Sequence, residues 1–356
     1  MVALAASLAL GFAGASESAS PDIYAFYWHS SRVDRINLTN DPAYDGSPVS
    51  SADQRRIAFI SARSGFEAVW IMNGDGSKPR RVTERMTDGA SSLRSIAWSP
   101  DGRRIAFMAD VAGRDSRYGH SYVYVVPAAG GTARRLGEGS APVSFSSKGA
   151  FVAFAARSPS YWGGIVVARA DGSASREFAK GSAQPKYAPH GTRILFLRDG
   201  RRVSVASSDG RIRWTLHGYS ATSATWLPDG RVVFLASGVR RPGLYVIRPG
   251  TQRARKVVAL ADGWSLAVSP DGRYVAVSAT GATYVVRLRG GYFSRVGDEG
   301  DILAWSPTGR ALAFVTRAGP RLVITDVPGT PVELGFEGFP EFFGLDWNGG
   351  RVVTAL

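Results

Sequence analysis

One tetrapeptide turn recurs along this chain, and its spacing restricts the possible folds more than any other feature. The clear copies are Ser99-Pro100-Asp101-Gly102, Leu227-Pro228-Asp229-Gly230, Ser269-Pro270-Asp271-Gly272 and Ser306-Pro307-Thr308-Gly309. Degraded copies occupy residues 51–54, 146–149, 188–191 and 347–350. The fourth positions fall at 54, 102, 149, 191, 230, 272, 309 and 350, a mean step of about 42 residues, which is the period of four-stranded repeat units. Pro presets φ, Asp hydrogen-bonds the neighbouring backbone and Gly accepts positive φ, so each copy is a turn with a mechanism.

The flanks are equally regular. A short apolar segment precedes each turn, as in Ser95-Ile96-Ala97-Trp98, and another follows, as in Ile105-Ala106-Phe107-Met108. Two such runs joined by a turn are a hairpin. A third β-rich run comes next, for example Val123-Tyr124-Val125-Val126 or Leu244-Tyr245-Val246-Ile247, and then a fourth, such as Ala133-Arg134-Arg135-Leu136. No helical period interrupts the pattern. Each repeat is expected to hold four strands, A to D, with a connection between D and the next A. A lone four-stranded sheet leaves a face bare, whereas sheets stacked radially cover each other. The expected fold is all-β, a β-propeller of four-stranded antiparallel blades, eight in number with seven as the alternative. Residues 22–39 resemble strands C and D without A and B, and residues 344–354 resemble A and B without C and D. One closing blade is therefore expected to be shared by the N- and C-terminal strands. The length of 356 residues, which would otherwise suggest two or three domains, becomes one closed domain.

The W-S-P-D-G-R-x-I-A-F run at residues 98–107, repeated at Trp305-Ser306-Pro307 and Val268-Ser269-Pro270-Asp271-Gly272-Arg273, resembles the TolB-like, WD40-like β-propeller repeat family. The resemblance spans the chain after its first residues and implies the propeller architecture. Family relatives serve in the Tol translocation system or gate peptidases. The small α/β domain that precedes the TolB propeller is not matched here. The G-x-S-x-G nucleophile elbow of the peptidases is missing as well. Neither role is carried over.

Residues 2–15 are apolar and uncharged and end in Ala13-Gly14-Ala15, the pattern of a leader with a small-x-small cleavage site. The expected organisation is a signal peptide at 1–15, a short linker at 16–21 and a single propeller at 22–356. No other stretch approaches the roughly 20 apolar residues of a spanning helix. The mature chain is expected to be exported, periplasmic or extracellular, and monomeric, with no transmembrane segment.

Without cysteine there is no disulfide, thiolate metal site or cysteine nucleophile. The histidines His29, His120, His190 and His217 show no metal-binding spacing, so neither a metal nor another cofactor is expected. The formal charge is +14, and only five of the 43 basic residues are lysine. Many arginines occupy equivalent turn positions, such as Arg55, Arg103, Arg231 and Arg273 after the A–B turn and Arg80 and Arg134 after the C–D turn. They are expected to ring one face, which suits an acidic partner. Nucleic acid is disfavoured, because no basic run is interleaved with aromatics. The turn aspartates and the A-strand aromatics Trp98, Phe145, Tyr187, Trp226 and Trp305 read as turn bracing and packing between blades.

The other face carries the irregular loops, residues 109–122 and 156–164. They place Arg114, Arg117, Tyr118, His120, Tyr161 and Trp162 on adjacent blades, and these six are the expected binding residues. No catalytic motif is found. The leading expectation is a non-enzymatic binding or scaffold module for a protein partner or an anionic cell-envelope polymer. The alternative is a propeller enzyme, a lyase or hydrolase acting on a ligand in the central channel.

Overall fold

The computed structural model describes residues 2–3, 21–29, 32–86, 88–111, 120–157, 163–238, 241–317, 321–327, 331–335, 345–348 and 351–355. Among these, every regular element is a strand. Asp45–Ser50, Arg56–Ser61, Ala68–Asn73 and Arg80–Arg81 form a four-stranded antiparallel sheet in chain order. The same order recurs in the sheets that begin with Ser182–Tyr187, Ala221–Trp226, Gly263–Val268 and Gly300–Trp305. The two ends of the chain meet in one further sheet, where Ile23–His29 pairs with Arg351–Ala355, Ile23 opposite Ala355 and Phe26 opposite Val352. That sheet also holds Arg32–Asn37, Leu345–Asn348 and the two-residue strand Val2–Ala3. First strands of successive sheets adjoin: Asp45–Ser50 touches Ala90–Trp98, and Leu345–Asn348 touches both Gly300–Trp305 and Asp45–Ser50. The architecture is that of a β-propeller.

One expectation is corrected. Between Ala90–Trp98 and Ser175–Phe178, seven strands form a single continuous sheet. Residues 134–145, read from sequence as a D strand, a connection and an A strand, are one 12-residue strand, Arg134–Phe145. It pairs with His120–Pro127 on one edge and with Phe151–Ala156 on the other. Gly137 and Gly139 let it pass over Phe154. A Cβ at Gly139 would lie 2.4 Å from the Phe154 ring and 2.6 Å from the Ala155 carbonyl.

Burial explains the composition of each strand position. Second strands such as Val232–Ala236 and Ala311–Thr316 are buried at every residue, because a sheet faces a neighbour on both sides. Their Phe residues, Phe59, Phe107, Phe154, Phe196, Phe234 and Phe314, recur at one repeat position and are fully buried. Fourth strands are open: three of four residues are exposed in Ser175–Phe178.

The repeated turn is braced by two side chains. Ser99 Oγ donates to Asp101 Oδ1 at 2.6 Å and accepts from the Arg104 amide at 2.9 Å, while the Arg103 amide donates to Asp101 Oδ1 at 3.0 Å. Gly102 takes φ 63°, and in the degraded copy Gln54 holds the same left-handed geometry at φ 60°. There the Ser51 hydroxyl holds the Asp53 carboxyl below the usual carboxylate range, against the opposing effect of burial.

The arginines are less free than the sequence suggests. Arg80, Arg176 and Arg255, on fourth strands, donate to the carbonyls of Ala128, Asp209 and Leu288 in the following sheet, at 2.6, 2.7 and 3.1 Å, and Arg134, on the long shared strand, donates to the Asp171 carbonyl at 2.8 Å. Arg56 stacks on Trp98 and donates to the Gly102 carbonyl at 3.0 Å. The indoles answer in the reverse sense: Trp98, Trp226 and Trp305 Nε1 donate to Val49, Lys186 and Ala267 carbonyls at 2.9, 2.9 and 3.0 Å. Much of the charge thus clasps sheet to sheet, which favours the planar five-donor guanidinium over lysine. Arg80→Ala and Arg176→Ala are each expected to lower unfolding free energy by about 1 kcal/mol. Urea denaturation measures this, and midpoints indistinguishable from the parent would show that water serves those carbonyls as well.

Candidate functional site

The long shared strand brings chemistry together at the edge opposite the repeated turns. Tyr122 opposes Glu138 on one side of it, and Gly139 opposes Ala156 on the other. That register sets in a row His120, Glu138 and Arg157, the residue that follows strand Phe151–Ala156. His120 Nδ1 lies 2.8 Å from Glu138 Oε1, and Arg157 Nη1 lies 3.6 Å from the same oxygen. A carboxylate only accepts, so Nδ1 carries the donated proton, and Nε2 is the ring nitrogen left facing away from Glu138. The His120 and Glu138 side chains are 42% and 37% exposed, open to a ligand. Tyr122 stacks beside His120, with centroids 6.2 Å apart, and Arg135 sits over the Tyr122 ring. Such a carboxylate-oriented imidazole is the arrangement of a general base.

A second polar row lies on the same blade edge. Arg94 makes a two-pronged contact with Asp110, with Nη2 to Oδ1 at 2.6 Å. Arg94 also donates to Ser121 Oγ at 2.9 Å, and Ser121 donates to Asp110 Oδ1 at 2.6 Å. Farther round, Lys186 stands on a first strand. Its Nζ donates to the Ala224 carbonyl on the next first strand at 3.0 Å. Burial pushes the Lys186 ammonium down to about 8, within reach of neutral pH.

Of the six residues expected from sequence, His120 alone is described. Arg114, Arg117, Tyr118, Tyr161 and Trp162 lie outside the described residues. The roots of the two loops do meet, because Glu138 contacts both His120 at the end of the first and Arg157 at the start of the second. Sequence reasoning missed Glu138, Arg157, Arg94, Asp110, Ser121 and Lys186. Glu138 had a signal, an acid held between two glycines inside a β-rich run.

No family model matches the chain, and no curated protein matches its sequence. Solved structures do share the fold. An oligogalacturonate lyase in complex with manganese aligns at a TM-score of 0.58 and 15% identity, covering 89% of this chain and 97% of that one. Prolyl oligopeptidase B from Galerina marginata aligns at 0.57 and 12% identity, over 85% of this chain and 52% of that one. The putative TolB from Agrobacterium tumefaciens, with a TM-score of 0.47 at 16% identity over 95% of this chain and 98% of that one, is too distant to carry an argument. The expectation of a non-enzymatic chain is corrected by these neighbours, since an oligogalacturonate lyase and a prolyl oligopeptidase are among the propellers that share the fold. Among the described residues no three His, Asp or Glu converge as metal ligands. Nor is any helix among them long and apolar enough to cross a membrane.

Proposed function

We propose that this chain is a propeller enzyme, a lyase or hydrolase acting on an anionic oligosaccharide at the rim built on strand Arg134–Phe145. The observation that carries the reading is the His120–Glu138 contact at 2.8 Å, solvent-open and flanked by Arg157. The fold it shares with an oligogalacturonate lyase suggests the substrate class. In an elimination, His120 Nε2 removes the hydrogen beside the sugar carboxylate. The C–O bond to the leaving sugar breaks, a C=C bond forms, and the imidazolium returns its proton to the departing oxygen. Glu138 orients the ring and balances its transient charge, while Arg157 faces the substrate carboxylate. In the same reading the sheets are eight blades, the seven-stranded sheet counting as two, and residues 1–15 direct export of a domain spanning 22–356.

His120→Ala is expected to lower kcat on oligogalacturonate about a hundredfold with little change in KM, read by the absorbance of the new double bond or by reducing ends. Glu138→Gln should fall between the two. A full rate in His120→Ala overturns the assignment, as does absence of turnover by the intact chain. Lys186 favours a second reading, because a lysine shifted toward neutral pH is itself a possible base. A hundredfold loss in Lys186→Met alongside an active His120→Ala would move the chemistry into the centre of the ring.

A further inference from the structure

A cleft of about 560 Å³ opens between the sheet of Ala221–Trp226 and that of Gly263–Val268. It lies on the turn edge, opposite the His120 rim: the turns before Arg231 and Arg273 and the one at residues 288–291 border it. Five arginines line it, Arg231, Arg255, Arg273, Arg287 and Arg289. Their internal commitments differ. Arg231 Nε lies 2.7 Å from Asp229 and Arg273 Nε 3.5 Å from Asp271, each a carboxylate of its own turn. Arg255 donates to the Leu288 carbonyl at 3.1 Å. Arg287 and Arg289 are exposed and, among the described residues, have no carboxylate partner. Like charges gathered round a concave site repel one another and raise the local concentration of anions. Guanidinium forks bind planar oxyanions with two parallel hydrogen bonds.

The rim adds an apolar element. Tyr292 is 78% exposed, the most open large hydrophobic side chain among the described residues. A Cβ placed on Gly290, which lines the cleft, would sit 3.4 Å from the Tyr292 ring, so the ring lies beside one of the lining residues. A flat ring beside unpaired guanidinium groups suits a sugar whose C–H face stacks while its oxyanion is held.

We infer that this cleft is a second binding site, for an oxyanion-bearing saccharide, independent of the His120 rim. Arg287 and Arg289 hold the oxyanion and Tyr292 stacks on the ring. The charge could be a carboxylate or a sulfate, and the test separates them. Calorimetric titration of the full chain with tetragalacturonate, its methyl ester, a sulfated disaccharide and pyrophosphate is read in four proteins. These are the parent, Arg287→Ala/Arg289→Ala, Tyr292→Ala and His120→Ala. The double variant is expected to bind the matching charged saccharide at least tenfold more weakly, and Tyr292→Ala several-fold more weakly. His120→Ala, which loses turnover rather than affinity, should bind at the cleft as the parent does, and the methyl ester should lose binding here if carboxylate is the ligand. None of the three cleft side chains is buried, so melting temperatures should match the parent. Unchanged affinity in both cleft variants overturns the proposal. Pyrophosphate binding that Tyr292→Ala leaves intact, with no saccharide binding, also overturns it and makes the cleft a simple anion site. Loss of turnover in His120→Ala with cleft binding intact separates this result from the fate of the enzymatic reading.

Discussion

A chain starting at residue 40 is expected to lose its single cooperative melting transition. Residues 21–39 supply the two outer strands of the sheet that joins the chain ends. Ile23 and Ala25 are fully buried there, Phe26 is 3% exposed and Leu38 9%. Removing Ile23, Phe26 and Leu38 forfeits about 1.5–3 kcal/mol each, together comparable with a typical stability margin of about 5–15 kcal/mol. A polar network goes with them: Asp22 accepts from Asn37 Nδ2 at 2.6 Å and Thr39 Oγ1 at 2.9 Å. The loss also bares the edge of Arg351–Ala355 and uncovers Ile57, Phe59 and Met72, which share one cluster with Ile23 and Leu38. Calorimetry of both chains decides the matter. A sharp transition within about 2 °C of the parent would show that the end strands are ornamental.

Phe234→Ala is expected to cost about 3–5 kcal/mol. Phe234 is fully buried, stacks on Tyr245 at 5.4 Å and meets the edge of Tyr219 at 5.4 Å. Its cluster includes Leu195, Val203 and Leu216 from the preceding sheet, so the cavity would open between two sheets rather than within one. Phe234→Leu should cost less than half as much, because most of the space stays filled. The sequence carries its own precedent, since Val277 occupies the equivalent position in the next sheet. Guanidinium denaturation of the three proteins measures the series. A loss under about 1 kcal/mol in the alanine variant would mean that the neighbouring sheets close over the gap.

The repeat was legible because its turn chemistry is local. Ser99, Asp101 and Gly102 bond one another within five residues, and the same atoms do so around Ser269 and Asp271. The column of Phe residues follows from the same register. The site was not legible, because it depends on long-range pairing. Nothing local to Glu138 tells that strand Arg134–Phe145 runs unbroken between His120–Pro127 and Phe151–Ala156 and sets that carboxylate between His120 and Arg157. The arginines misled for a related reason. Charge is visible in a sequence, but the carbonyls of Ala128 and Asp171 that absorb it lie 48 and 37 residues away.

Those arginine clasps all run the same way. Arg80, Arg134, Arg176 and Arg255 each reach a carbonyl that lies later in the chain. On the ribosome the donor therefore always emerges before its acceptor. Until that later carbonyl is made, each guanidinium is held by water alone. Arg351–Ala355 reaches the other way, to Ile23–His29, a strand made more than 300 residues earlier. That pairing spans more of the sequence than any other strand pair described, so the sheet it joins stays incomplete through the making of every sheet between.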